Sequence, residues 1–163
     1  MRPGVLASLH PFVKLKAQRF LTICNERGVD VLVFSTRRTR EEQAARYAIG
    51  RTVPGPMSNA HDLLGKTVTP DEPGRSLHEL GLAFDACPLL AGIPLSFSRS
   101  IGEWRLWAIM GEVAQDARVN LQWGGRELKP QGVRRVWHFY YTAGLTVDEL
   151  LAGSELPPIP RGY

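Results

Sequence analysis

Cysteine is scarce in this chain: two residues, Cys24 and Cys87, among 163. They lie far apart and match no zinc-ligand spacing, so they read as unrelated reduced thiols. A disulfide between them requires the fold to bring them together. Long hydrophobic runs are missing too. No stretch of about 18 apolar residues occurs, which excludes a membrane-spanning helix. The opening segment, Met1 to Ala7, has no extended apolar core and is followed by charged residues, so it does not read as a secretory signal. Compositional bias is absent as well: 44% hydrophobic and 22% charged residues are ordinary for a globular protein and leave little room for disorder.

What is present is enough chain for one domain with its own core. No internal repeat or domain boundary interrupts residues 1–163, and the core is expected over about 9–153. The tail 154–163, with Pro157, Pro158 and Pro160, cannot continue a helix and is expected to be extended. The net charge of +4 and a pI of 9.4 favour polyanionic partners. The arginines form neither a basic helix nor an aromatic-interleaved stripe, so nucleic acid is not an expected partner.

Residues 9–27 have the spacing of an amphipathic helix, with Leu9, Val13, Ala17, Phe20 and Cys24 on one face, Pro11 near its start and Gly28 past its end. Val29 to Phe34 reads as a buried strand. Thr39-Arg40-Glu41-Glu42 has the pattern of a capping box and opens a second helix running to about Ile49. Residues 50–76, punctuated by proline and glycine, form a long irregular connection of the kind that is more often functional than idle. Gly81 to Ala86 reads as a strand, 101–118 as a third helix, and Leu121–Trp123 and Val136–Tyr141 as short strands. Thr146 is placed to cap a last short helix. Helices and strands mix without regular alternation, so the class is α+β, a single domain.

Two histidines and one aspartate stand out in this frame. His78 lies in Ser76-Leu77-His78-Glu79-Leu80-Gly81-Leu82-Ala83-Phe84-Asp85, and His138 follows in Val136-Trp137-His138-Phe139. If 136–141 is a strand, Val136, His138 and Tyr140 share a face that can meet His78 and Asp85. Imidazole nitrogen and carboxylate oxygen are normal zinc ligands, and three protein ligands leave the fourth tetrahedral position open, as catalytic zinc requires. Spacing alone also allows all three residues to be structural.

The pattern Ser-x-His-x-x-Gly-x-Ala-x-Asp followed by a late Trp-His resembles the zinc-dependent D-alanyl-D-alanine carboxypeptidase and L-alanyl-D-glutamate endopeptidase (VanY-like) family of peptidoglycan hydrolases, most of all its phage endolysin branch. Ser35 to Gln43, Tyr47 to Gly55 and Gly65 to Thr69 resemble further segments of that branch, and Pro56 to Leu64 looks like an insertion between the last two. The resemblance covers roughly residues 9–153. It implies a small antiparallel sheet with flanking helices, as in hedgehog and D-Ala-D-Ala peptidase folds. It implies Zn2+ held by His78, Asp85 and His138, and substrate contacts from Arg38, Gln43 and Ser76. It further implies a peptidoglycan stem peptide as partner and a monomer. The resemblance also implies action at the cell wall, after synthesis in a bacterial host's cytoplasm without a signal peptide and release by another agent.

One position departs from the pattern. The family carries an Asp or Glu three residues before the last histidine, as the acid that moves the proton of the attacking water. Here that residue is Arg135, which cannot accept a proton. A fixed positive charge about 6 Å from zinc adds roughly 3 kcal/mol of repulsion per unit metal charge at an effective dielectric near 20. Three readings follow: another carboxylate serves, with Glu127 first and Glu79, Asp71 and Glu72 behind it; Arg135 turns outward and the reaction runs without a base; or the chain binds stem peptide without cutting it. The favoured activity is cleavage of the L-alanyl-D-glutamate bond, with D,D- or L,D-carboxypeptidase action as the alternative within the class.

Overall fold

A computed structural model of the protein describes residues 5–95, 101–126 and 135–159. Helix α1 (Pro11–Glu26) begins where the His10 ring accepts a hydrogen bond from the Phe12 N–H, with Pro11 at its first position. Strand β1 (Val31–Ser35) leads to helix α2 (Arg40–Ala48). The expected capping box forms at α2: Thr39 Oγ1 accepts from the Glu42 N–H at 3.2 Å, and the Glu42 carboxylate accepts from the Thr39 N–H at 2.8 Å. There follow β2 (Ala83–Leu90), β3 (Ile93–Pro94), α3 (Ile101–Gln115), β4 (Gln122–Trp123), β5 (His138–Tyr140) and α4 (Val147–Leu151), the last opened by a second capping box at Thr146 and Glu149.

The strands form one antiparallel sheet in the order β1-β2-β5-β4, with β3 paired to β2. Side chains alternate between the two faces of a strand, so the register sorts residues into two layers. Phe84 and Phe139 are partners across β2 and β5 and stack at 5.5 Å between ring centroids. Phe20 of α1 meets them at 5.9 and 4.8 Å. Trp107 and Met110 of α3 and Val13 and Ala17 of α1 complete this core, where each large side chain contributes about 1.5–3 kcal/mol by leaving water. Asp85 and His138 are the next pair in the same register and point the opposite way. The α+β class and the single sheet with flanking helices are as expected.

Two local differences have physical causes. Hairpin β2–β3 turns on Ala91 and Gly92, both with positive φ (50° and 79°), which is the backbone a two-residue hairpin needs but not the usual Asn-Gly signal. Strand β5 begins at His138 rather than Val136, because Val136 is drawn into the core and its carbonyl accepts from the Trp123 indole at 2.7 Å. In the long connection, the Gly55 N–H donates to the Leu64 carbonyl at 2.8 Å and Lys66 N–H to the Pro56 carbonyl at 2.7 Å, pinching the segment 56–64 at its neck. A side chain on Gly55 would collide with the Lys66 carbonyl there. Cys24 and Cys87 are both free and buried, and burial pushes the Cys24 thiol up to about 12.

Because the α2 cap satisfies two backbone donors reciprocally, Thr39→Ala is expected to lower stability by about 1 kcal/mol in denaturant titration.

Candidate metal centre

His78 sits in a tight turn ahead of β2. Glu79 N–H donates to the Ser76 carbonyl at 2.9 Å and Gly81 N–H to the His78 carbonyl at 3.1 Å, while Ser76 Oγ accepts from the His78 N–H at 3.3 Å. Gly81 has φ +70° and backs onto residues 8–10, its carbonyl accepting from the His10 N–H at 2.9 Å. The Glu79 carboxylate takes the Gly74 and Ser76 N–H groups and ties down the approach. The turn therefore projects His78 over the sheet face from which Asp85 and His138 rise.

All three residues are buried, and one ligand atom from each lies within 4.8 Å of the others. His78 Nδ1 is 2.7 Å from the Thr36 carbonyl oxygen, which can only accept, so Nδ1 carries the proton and the neutral ring keeps its lone pair on Nε2. That Nε2 is buried without a hydrogen-bond partner, 3.4 Å from Asp85 Oδ1. Two atoms each about 2.1 Å from a tetrahedral zinc stand about 3.4 Å apart. Two electron-rich atoms facing each other in a buried site are unfavourable unless a cation lies between them. The donor set thus fits Zn2+.

The third ligand is close to the first two. His138 Nδ1 lies 3.0 Å from Asp85 Oδ1, and the two imidazoles are 5.1 Å apart between centroids. Burial alone would push the Asp85 carboxyl up, but the two neighbouring histidines outweigh it and hold the group well below the ordinary carboxylate range. Burial pulls His138 down, against the attraction of Asp85, which keeps the ring neutral and able to bind metal.

A hydrogen-bonded circuit encloses the site. Arg38 donates from one nitrogen to Asp85 Oδ2 at 3.4 Å and from another to Gln43 Oε1 at 2.5 Å. The Gln43 amide donates to the Asp71 carbonyl at 2.6 Å. The Asp71 carboxylate accepts from Arg135 at 3.2 and 3.4 Å, and the Arg135 carbonyl accepts from the His138 N–H at 3.0 Å. Arg38 Nε is a buried donor without a partner among the described residues, and burial lowers this guanidinium's pKa against the pull of Asp85.

Of the residues expected from sequence, the structure thus brings together His78, Asp85, His138, Arg38 and Gln43. Gln43 is fully buried and spans Arg38 and Asp71. Ser76, also buried, shapes the His78 turn. Arg135 does not turn out to solvent but pairs with Asp71. Glu127 lies outside the described residues. His61 is exposed in the long connection. Two features carry no sequence signal: the Thr36 carbonyl, a backbone group, and the pairing of Asp71 with Arg135, two residues that each stand out alone but are distant in the chain.

Calorimetric titration is expected to find one zinc site, abolished in Asp85→Asn. In the metal-free chain Asp85 and His138 both hold fewer protons folded than unfolded, so acid favours unfolding. Stability is expected to fall below about pH 6.5, where unfolded histidine protonates, and again below about pH 3.9, where aspartate does, as read by thermal melts.

Comparison with known proteins agrees with this fold. Similar solved structures include VanYB in complex with D-alanine-D-alanine (20% identity, TM-score 0.59, covering 90% of this chain and 84% of that one). The L-Ala D-Glu endopeptidase ChiX of Serratia marcescens is also similar (20%, TM-score 0.51, 85% and 84%). A mutant of the vancomycin-resistance D,D-pentapeptidase VanY in complex with Zn(II) is a third (19%, TM-score 0.57, 88% and 83%). Curated protein sequences yield no match. The VanY family model, described as D-alanyl-D-alanine carboxypeptidase, matches residues 6–144. A buried His-Asp-His set on this fold, matched over that length, makes the chain a member of the VanY D-alanyl-D-alanine carboxypeptidase family.

Proposed function

We propose that the protein is a zinc-dependent peptidase of peptidoglycan stem peptides, endolysin-like, cleaving the L-alanyl-D-glutamate bond as a monomer at the cell wall. The observation that carries the reading is the lone pair of His78 Nε2, buried and unpartnered opposite Asp85, with His138 closing the set. His78, Asp85 and His138 would hold the zinc. When bound, the ion acidifies a water and polarises the scissile carbonyl.

The chain's own groups do the rest. The Thr36 carbonyl fixes the His78 tautomer, and Arg38 holds Asp85 by its second oxygen. Arg38 keeps its Nε–H unpaired among the described residues, and a guanidinium suits a substrate carboxylate. Gln43 keeps Arg38 in that position and Ser76 keeps the His78 turn.

Arg135 favours a second reading, binding of stem peptide without hydrolysis, since it stands where the family carries an acid. Digestion of purified peptidoglycan by the zinc-loaded chain, with identification of new termini, decides between them. New D-glutamyl N-termini are expected. Release of terminal D-alanine alone would indicate carboxypeptidase action, and binding without new termini would establish the second reading. Arg38→Ala is expected to lower kcat/KM roughly 10- to 100-fold through loss of charged hydrogen bonds worth about 1.5–3 kcal/mol.

A further inference from the structure

Peptide hydrolysis at a metal needs a group that takes a proton from the attacking water and returns it to the leaving nitrogen. Arg135 cannot, because a guanidinium has no site to accept one. Asp85 is committed to the ligand set and to Arg38. Glu79 spends its oxygens on the Gly74 and Ser76 N–H groups, and Glu72 turns to the Tyr47 hydroxyl at 3.5 Å.

Asp71 is differently placed. Its carbonyl joins it to Gln43 and thence to Arg38, and its carboxylate meets Arg135, three residues before His138. The Arg135 carbonyl in turn accepts the His138 N–H, so hydrogen bonds tie the pair to Arg38 on one side of the centre and to His138 on the other. The Asp71 side chain remains 32% exposed and opens on a cavity of about 370 Å3 lined also by Pro70, Glu72, Arg75 and Val147. It is thus a part-exposed carboxylate at the edge of a cavity, held by the arginine three residues before His138.

We propose that Asp71 is the proton-transferring carboxylate of this active site, with Arg135 as the residue that positions it. Asp71 takes one proton from the attacking water as its oxygen bonds to the scissile carbonyl carbon. It gives that proton to the amide nitrogen as the C–N bond breaks, so one water and one amide yield a carboxylic acid and an amine. The charge of Arg135 is balanced by Asp71, which removes the repulsion a lone guanidinium would exert on a cation at His138. This rests on the peptidase reading above.

The test uses the full chain loaded with zinc and purified peptidoglycan. Asp71→Asn is expected to lower kcat by 100-fold or more, within the roughly 10²–10⁴ that general acid–base groups supply, with KM and zinc stoichiometry unchanged. Adding Arg135→Glu to Asp71→Asn restores a carboxylate from the other side of the pair and is expected to recover at least about tenfold of the loss. Where the single variant is poorly folded, Asp71→Ser with Arg135→Gln removes both charges together and leaves no unpaired guanidinium; the same loss of kcat is expected. Turnover by Asp71→Asn within about threefold of the parent overturns the assignment alone, as does a loss of kcat that tracks loss of zinc. A parent chain that loads zinc and cuts nothing overturns the assignment and the peptidase reading together.

Discussion

The antiparallel pairing of β2 with β5 is the constraint on which the rest of the molecule depends. It sets Phe84 against Phe139 and, one residue on, Asp85 against His138. Because successive side chains leave a strand on opposite faces, one register both closes the hydrophobic core and builds two thirds of the metal set. A slip of one residue would send the carboxylate and imidazole into the aromatic layer and the phenyl rings toward the cleft. The packing of Phe20 on both rings therefore guards the site without touching it.

Burial gives the centre its character. A carboxylate and two imidazoles removed from water are costly unless each is paired. Asp85 is held by His138 on one oxygen and Arg38 on the other, and His78 by the Thr36 carbonyl. The atom left over, His78 Nε2, faces Asp85 at the spacing zinc asks of two ligands. The circuit through Gln43, Asp71 and Arg135 returns to the His138 backbone. Substitutions around it will not act independently, because its members share partners.

Arg135 shows how a departure from a family's pattern can be absorbed. A guanidinium is longer than the carboxylate it replaces, and here it reaches across to Asp71 and half-buries itself against it. The positive charge near the ligands is thereby met by a negative one from the long connection. This gives that connection a role beyond linking α2 to β2: residues 69–76 carry Asp71, the serine under His78 and the glycine held by Glu79.

Much was determined by local chemistry and so was legible in the residues. The capping box at Thr39, the proline and glycine bounding α1 and the irregular connection depend on neighbours within a few positions, while His78, Asp85 and His138 stand out by residue type and by the resemblance of their segments to a family pattern. The Ala91-Gly92 hairpin and the true start of β5 escaped, the first for want of a strong turn signal, the second because Trp123 and the core capture Val136. Only the tertiary structure decided which charges meet. Asp71 and Arg135 lie 64 positions apart and His78 and the Thr36 carbonyl 42, and nothing in either local segment encodes the partner. Such pairs arise from how the turn at His78 and the long connection pack over the sheet, where burial forces every polar group to find whatever counterpart the fold brings within reach.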